Sequence, residues 1–354
     1  MPTPSGRLPL PRMPSFYAPL RRKTRKRLLM CFLLPLVLGC SAYASADTVL
    51  TNASFDVSRE LYSTLNPPFI AQWEKSHGGH LSIVQSHAGS SAQARSVIEG
   101  LNADVVTFNQ ASDIDMIAQA GLIDSHWQQR LPHHSSPYYS TMAFLVRKGN
   151  PKHIKSWQDL AKKGVSLVFP NPKTSGNGRY TYLAAWAAEQ LQDHNNEAAT
   201  EAFMRKFLGN VTTFDNGGRG ATTSFVEHGV GDVLISFESE IDSLAKQHPG
   251  QYEVIIPKVD ILAEMPVAWV DSNVKRNHSQ TLAQAYLHYL YTPSAQKIIA
   301  EHYYRVSDPT VARQFAHQFP ATHLLSINKV FGSWDSILKT HFSSGGKLDQ
   351  LERP

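Results

Sequence analysis

Three short loops rich in glycine and serine carry the residues of this sequence that are best suited to chemistry. They read SHAGSSAQ (residues 86–93), NPKTSGNGRY (171–180) and FDNGGRGATTSF (214–225), and each leads into a helical pattern. At a helix amino terminus the first backbone N–H groups have no partner within the helix, and the helix dipole adds partial positive charge. Serine adds a hydroxyl donor, and glycine lets the main chain approach a ligand closely. The three loops therefore predict a binding site for an anion.

Each loop taken alone also has a plain structural interpretation. Serine before a helix is commonly an N-cap, and a glycine-rich loop is commonly just a turn. None of the loops matches a P-loop, because the lysine of NPKTSGNG precedes the glycines, and GGRGAT does not fit a dinucleotide-binding fingerprint. The presence of three such loops is what favours a shared anion site. In the second loop we expect the helix to begin at about Arg179.

Short β-rich runs alternate with helical patterns along the rest of the chain. The candidate strands are residues 48–55, 80–87, 103–110, 140–148, 165–172, 231–239, 252–259 and 266–272. This alternation predicts an α/β fold with mainly parallel sheets. Ligands of such sheets bind beyond the carboxyl ends of strands, where the three loops are expected to lie. A chain of this length usually divides into two domains. Two α/β lobes that face each other form a cleft, which can close around a solute by a hinge motion.

The amino-terminal segment has the layout of a secretory signal. A basic run at 21–27 precedes the apolar stretch LLMCFLLPLVL, and the small residues at 44–46 form a cleavage site. The apolar stretch is too short to span a membrane. We predict a cleaved signal peptide at residues 1–46. Two alternatives stay open: acylation at Cys40 within a loose lipoprotein motif, and translation from Met13.

Removal of that segment changes the charge of the chain. It contains eight of the 34 Lys and Arg residues and no Asp or Glu, so 26 basic residues remain against 29 acidic ones, and the net charge becomes −3 instead of +5. A slightly acidic chain is poorly suited to nucleic acid. Both cysteines, Cys31 and Cys40, also leave, which excludes disulfides and thiolate ligands. We expect no cofactor and no metal, since His77 and His80 lie in a polar turn without a nearby cysteine or cluster of carboxylates.

Several long stretches of the sequence carry a family resemblance. They are NASFDVSREL (52–61), the three loops, RLPHHSSPYYSTMAFLVRKGNPK (130–152), GDVLISFESE (231–240) and ILAEMPVAWVD (261–271). With them the chain resembles the periplasmic sulfate/thiosulfate-binding proteins over essentially all of its mature length. The resemblance implies a two-lobed periplasmic-binding-protein fold of type II, with discontinuous lobes and a hinge. We expect one lobe at 47–145 and 266–354 and the other at 146–265.

The resemblance also implies which residues bind the anion. The family's donors fall on Ser90, Ser175, Gly176, Asn177 and Gly218, and Asp56 matches an aspartate that orients neighbouring donors. The sulfate-binding branch has glycine where this chain has Asn177 and alanine where it has Gly218. Both changes leave the backbone N–H donors in place. No lysine or arginine is required, because dispersed helix termini and hydrogen bonds share the charge of the ion.

Phe237 departs from the sulfate-binding branch, which has a tryptophan there whose indole N–H reaches a sulfate oxygen. Phenylalanine cannot donate a hydrogen bond. Thiosulfate replaces one oxygen with a larger, softer sulfur, which suits an apolar ring better than an unpaired N–H. The sequence therefore predicts a monomeric periplasmic receptor that captures thiosulfate, and also sulfate, for the inner-membrane permease of an ABC importer in sulfur assimilation. The alternative is that Phe237 is ordinary packing and that the receptor prefers sulfate.

A secreted serine hydrolase or a sulfur-transfer enzyme is the competing class. Its nucleophile would have to be Ser90 or Ser175, but neither lies in a G-x-S-x-G elbow, and sulfur transfer normally needs a cysteine. We therefore expect no catalytic residue. A phosphate or molybdate receptor would fit the fold but not these motifs. Whether Asp56 could test a ligand for its proton stays open.

Overall fold

The computed structural model describes residues 47–352. The predicted signal peptide, its cleavage site and both cysteines lie outside the described residues. The strands are β1 Thr48–Phe55, β2 Leu81–Ala88, β3 Val105–Thr107, β4 Tyr138–Ser140, β5 Met142–Arg147, β6 Leu167–Pro170, β7 Val211–Asp215, β8 Val233–Phe237, β9 Tyr252–Ile255, β10 Val259–Ile261, β11 Ala263–Met265, β12 Val267–Trp269, β13 Arg305–Val306 and β14 His323–Leu325.

Helices connect these strands and cover the sheets. They are α1 Arg59–His77, α2 Ser90–Ile98, α3 Ala111–Gln119, α4 Pro132–Ser135, α5 Trp157–Leu160, α6 Gly176–Gln192, α7 Glu197–Gly209, α8 Gly217–Thr222, α9 Glu238–Gln247, α10 Asp271–Asn277, α11 Gln280–Tyr289, α12 Pro293–Glu301, α13 Pro309–Gln314, α14 Ile327–Phe331, α15 Trp334–Ile337 and α16 Lys347–Glu352. In the described chain no helix has the length and hydropathy of a membrane span.

Two larger sheets hold most of the strands. The first has the order β12-β3-β1-β2, with β1 parallel to β2 and β3. The second has the order β7-β6-β8-β5-β9, with β6 parallel to β7 and β8. The strand β12 in the first sheet, and β5 and its partners in the second, pair antiparallel. The predicted α/β class is confirmed, and each of the eight predicted strands is present.

Two small sheets join the segments between the larger ones. The strand β4 pairs antiparallel with β11 and with β13, and β10 pairs parallel with β14. Because β4 leads into β5 and β11 leads into β12, the chain passes between the two larger sheets at this position. The predicted boundary at residue 145 falls inside β5, which pairs along its whole length within the second sheet.

Each larger sheet buries apolar side chains beneath its helices. Under the first sheet, Ala53, Val106 and Phe108 pack with residues of α2 and α3. Under the second, Leu145 and Leu234 pack with residues of α8 and α9. The helix α6 is buried along most of its length, so its Tyr180, Tyr182 and Trp186 are core residues. The sheets are therefore rigid supports for the loops at their edges.

Candidate functional site

The three glycine- and serine-rich loops each lie where a parallel strand ends and a helix begins. The strand β2 leads into α2 at Ser90, β6 into α6 at Gly176, and β7 into α8 at Gly217. The N-cap residues of these helices are Gly89, Ser175 and Asn216, and none of them makes a side-chain cap hydrogen bond. No cap side chain therefore occupies the first-turn N–H groups of α2 and α6, which are available to a ligand, whereas in α8 the N–H of Arg219 is held by Asp56.

Close contacts show that the three loops meet. A methyl group built on Gly89 would lie 3.6 Å from the carbonyl oxygen of Thr174, which joins the first loop to the second. A methyl group built on Gly218 would lie 3.3 Å from Asn177 Nδ2, which joins the second loop to the third. The second loop therefore adjoins both of the others, which brings three helix amino termini close together, where their partial positive charges add.

Ser90 supplies an unused hydroxyl at this place. Its side chain is fully buried, and its Oγ atom has no hydrogen-bond partner. A buried hydroxyl without a partner costs about 1–3 kcal/mol, so its presence is best explained by a ligand that accepts from it. Ser175 is also buried, at 2% exposed. Both predicted serine donors therefore stand at helix starts, and the two loops that contain them adjoin each other.

Asp56 lies against the third loop. Its carboxylate accepts hydrogen bonds from the backbone N–H of Val57 and from that of Arg219, each at 3.1 Å. A methyl group on Gly217, which has φ 75°, would lie 2.5 Å from Asp56 Oδ2, so this position requires glycine. Burial raises the pKa of Asp56, and the two backbone donors lower it in part. The carboxylate fixes the start of α8, as an orienting residue would.

Asn177 and Phe237 complete the predicted set. The Asn177 side chain donates from Nδ2 to Ser236 Oγ at 2.8 Å, which ties α6 to β8, while its Oδ1 has no partner. Phe237 ends β8 and is fully buried. Its ring centroid lies 6.4 Å from that of Phe55 and 5.9 Å from that of Tyr180, both in edge-on contacts. The structure thus brings each predicted residue to the ends of neighbouring strands.

Known proteins match the chain over most of its length. The family model of a bacterial extracellular solute-binding protein matches residues 57–305. The thiosulfate-binding protein of Escherichia coli (strain K12) is 57% identical over 307 residues, which are 86% of this chain and 91% of that protein. The sulfate-binding protein of the same strain is 45% identical over 322 residues, or 90% of this chain and 98% of that protein.

The chain belongs to the sulfate/thiosulfate-binding protein family. Among solved structures, the sulfate-binding protein SubI from Mycobacterium tuberculosis H37Rv matches with a TM-score of 0.74 and 32% identity, and the match covers 82% of this chain and 98% of that one. The two-lobed periplasmic-binding-protein fold is thereby confirmed. The glycine-rich loops and their helix termini lie beyond the carboxyl ends of parallel strands, the position at which open α/β sheets generally bind ligands.

Beneath the loops of this family member lies a group of residues that the sequence did not reveal. Asp113 of α3 is fully buried, with Ser91 Oγ donating to its Oδ1 at 2.8 Å. Arg179 Nη1 lies 3.5 Å from the same oxygen. Burial raises the pKa of Asp113, and Arg179, Ser91 and Ser90 lower it in part. The sequence alone could not have linked Asp113 to the loops, because that link depends on the contact between α3 and α6.

The helix α6 begins at Gly176 and not at Arg179, so the predicted start was wrong. Glycine and asparagine have low helix propensity, which is why these residues indicated a loop. A methyl group on Gly178 would lie 2.1 Å from the carbonyl oxygen of Pro170, so glycine is needed for close packing against the end of β6. The correction strengthens the anion site, since the N–H groups of Gly176 and Asn177 belong to the first helical turn.

Other features of the described chain are less suited to an anion. A cavity of about 630 Å³ between α3 and the α14–α15 segment is lined by Asp115 and Asp335, whose charges repel anions. No group of three or more His, Cys, Asp or Glu side chains that could hold a metal occurs among residues 47–352. His77 stacks on Trp73, and His80 Nδ1 hydrogen-bonds to Glu74 at 2.9 Å.

Proposed function

We propose that this chain is a periplasmic receptor that captures thiosulfate, and also sulfate, and delivers it to an ABC importer. The observation that carries the proposal is the meeting of the starts of α2, α6 and α8, with the unpartnered hydroxyl of Ser90 at the start of α2. Dispersed N–H and O–H donors stabilise a dianion that has no titratable proton. Relatives named for thiosulfate and for sulfate binding support the same class of ligand.

Phe237 favours thiosulfate over sulfate. Its ring, buried between Phe55 and Tyr180, offers an apolar wall and no donor. A sulfate oxygen against such a wall would lose a hydrogen bond, whereas the terminal sulfur of thiosulfate accepts hydrogen bonds poorly and loses little. The more similar of the two Escherichia coli relatives is the one named for thiosulfate. A sulfate-preferring receptor is the second candidate.

The ligand is tested on the purified mature chain, residues 47–354. Thiosulfate, sulfate, phosphate and molybdate are screened by thermal shift, because a bound ligand stabilises the folded form by mass action. Titration calorimetry then gives the dissociation constants. We expect thiosulfate to bind at least as tightly as sulfate, and phosphate and molybdate far more weakly. A strong preference for sulfate would favour the second candidate, and no binding of either ion would contradict both.

The receptor function also implies that the chain is not an enzyme. In the described chain no histidine hydrogen-bonds to Ser90 or Ser175; His87, the nearest in sequence, pairs with Ser54 Oγ at 2.6 Å. Burial lowers the pKa of His87, so its ring is neutral at pH 7. Without an adjacent base neither serine is activated as a nucleophile. Incubation with thiosulfate and cyanide, or with a generic ester, is expected to give no turnover.

The location, the partner and the lobes follow from the same role. The predicted signal peptide directs the chain to the periplasm, where the monomer would meet the inner-membrane permease.

We assign one lobe to the first sheet and the other to the second, with the boundary moved before Met142 because β5 belongs to the second sheet. The carboxyl-terminal segment contacts α7 through Lys347, which pairs with Glu197 and Glu201, so we assign residues 327–352 to the second lobe.

A further inference from the structure

Asn109 follows the strand β3 and reaches the start of α6. Its side chain is 2% exposed, and its Oδ1 atom has no hydrogen-bond partner. A methyl group built on Gly176 would stand only 2.2 Å from that oxygen. The amide therefore lies directly against Gly176, the first residue of a seventeen-residue helix and one of the proposed anion donors.

The neighbouring side-chain amides are already engaged. Gln110 donates from Nε2 to Ser112 Oγ, and Asn177 donates from Nδ2 to Ser236 Oγ. Each of these NH2 groups has a protein acceptor and is held away from a ligand. The oxygens of Gln110 and Asn177 also lack partners, but Asn109 is different because no protein hydrogen bond holds either end of its amide.

Electrostatics decide which end of the Asn109 amide faces a bound dianion. An amide oxygen beside an anion is repelled, whereas an amide NH2 group is a donor to a charged acceptor. The two ends have nearly the same shape, so half a turn of the amide exchanges them without displacing its neighbours. We propose that Asn109 is a further ligand-binding residue, which donates from its NH2 group to an oxygen of the dianion.

This inference rests on the proposed function and adds a side-chain donor to it. Phe237 leaves one wall of the site without a donor, and Asn109 supplies one from the β3–α3 loop. Thiosulfate and sulfate both present oxygens, so Asn109 should serve both ions equally. Phe237 then determines the preference between the ions, while Asn109 contributes to the affinity for each.

The test replaces Asn109 with leucine, which keeps the size of the side chain and removes the donor. By titration calorimetry we expect the affinities for thiosulfate and for sulfate each to fall by about tenfold or more, the effect of losing a hydrogen bond to a charged acceptor. The ratio of the two affinities should stay unchanged. The thermal midpoint without ligand should not fall, because the amide of Asn109 has no protein hydrogen bond to lose. Asn109→Asp should weaken binding further at pH 7.5, because a carboxylate repels the dianion.

Asn273→Leu is the matched control. Asn273 is also buried, at 4% exposed, but its Nδ2 donates to the carbonyl oxygen of Ala103 at 2.8 Å. Neither of these residues belongs to the three loops. We expect it to lower the thermal midpoint without ligand and to leave the affinity per folded molecule unchanged. Asn109→Ala repeats the test if the leucine variant does not fold.

The outcomes separate this inference from the proposed function. If Asn109→Leu binds thiosulfate as tightly as the wild type while Ser175→Ala binds more weakly, the Asn109 assignment is overturned and the receptor function stands. A lower midpoint with unchanged affinity would show a structural role and would also overturn it. If the wild-type chain binds neither ion, the proposed function itself fails.

Discussion

Arg179 of α6 and Asp113 of α3 form a buried ion pair, with Arg179 Nη1 3.5 Å from Asp113 Oδ1. The same guanidinium donates to Ser91 Oγ at 3.0 Å, and that hydroxyl donates to Asp113. The helices that follow the first and second loops are thereby tied to α3. Burial raises the pKa of Asp113 and lowers that of Arg179, so desolvation outweighs their attraction in both groups.

Replacing Arg179 with methionine should therefore destabilise the fold. The variant leaves the Asp113 carboxyl buried without its cation, a change that typically costs about 3–5 kcal/mol. Urea denaturation without ligand measures the free energy of unfolding. The double variant Arg179→Met with Asp113→Asn removes both charges and should recover most of the loss. A single variant as stable as the wild type would mean that the pair contributes no stability.

Sequence reasoning found the strand ends and the loops because these depend on local patterns. Glycine, serine and the apolar runs before them indicate turns and strands whatever the rest of the chain does. It could not find the pair of Arg179 and Asp113, since their contact depends on how α3 meets α6. The resemblance to a known family, and not the spacing of residues, identified Asp56 and Phe237.

Some local patterns were also misleading for physical reasons. Residues 176–178 read as loop, yet they form the first turn of α6 because the helix packs closely on the end of β6. The short strand β7, before the third loop, was not predicted, since its burial is only partial and its apolar pattern is weak. Tertiary packing decided the structure in both places.

Replacing Ser90 with alanine should weaken binding without destabilising the ligand-free fold. Its Oγ atom has no protein partner, so the folded state without ligand loses no hydrogen bond. The bound anion loses a donor, at a cost of about 1–3 kcal/mol, and we expect the same for Ser175→Ala. Calorimetry measures the affinity and thermal denaturation the stability.

Ser135→Ala serves as the control for Ser90→Ala. Ser135 is equally buried, but its Oγ donates to the carbonyl oxygen of Trp127 at 2.9 Å. It should lower stability and leave the affinity for thiosulfate unchanged. Unchanged affinity in Ser90→Ala and Ser175→Ala together would remove both serines from the site.

Replacing Phe237 with tryptophan should shift the preference toward sulfate. The indole supplies an N–H donor that can reach an oxygen of sulfate. The terminal sulfur of thiosulfate accepts such a hydrogen bond poorly, so thiosulfate gains less from the donor. The larger ring must fit between Phe55 and Tyr180, which should cost about 1–3 kcal/mol of stability. The measurement is the ratio of the two dissociation constants. Phe237→Leu, which adds no donor, should not improve sulfate binding; an unchanged ratio in the tryptophan variant would show that Phe237 is ordinary packing.

Glu240 is a buried carboxyl beside the third loop. Thr222 Oγ1 donates to its Oε1 at 3.1 Å, and Arg219 is the nearest cation that acts on it. Burial raises the pKa of Glu240 from 4.5 to about 7, because the attraction of Arg219 offsets only part of the desolvation. Between these two values the folded state retains a proton that the unfolded state has released.

The raised pKa of Glu240 predicts that the fold loses stability as the pH rises from about 4.5 through 7. Over that range the unfolded state binds fewer protons than the folded state, so the free energy of unfolding falls, by up to about 3 kcal/mol from this group. Glu240→Gln keeps an acceptor for Thr222 and cannot ionise, so urea denaturation at pH 5, 6, 7 and 8 should show a flatter profile and a more stable protein at pH 8. Burial also raises the pKa of Asp242 to about 7, so Asp242→Asn should flatten the remaining slope further. Equal slopes for the wild type and Glu240→Gln would mean that Glu240 is ionised at neutral pH in the folded state.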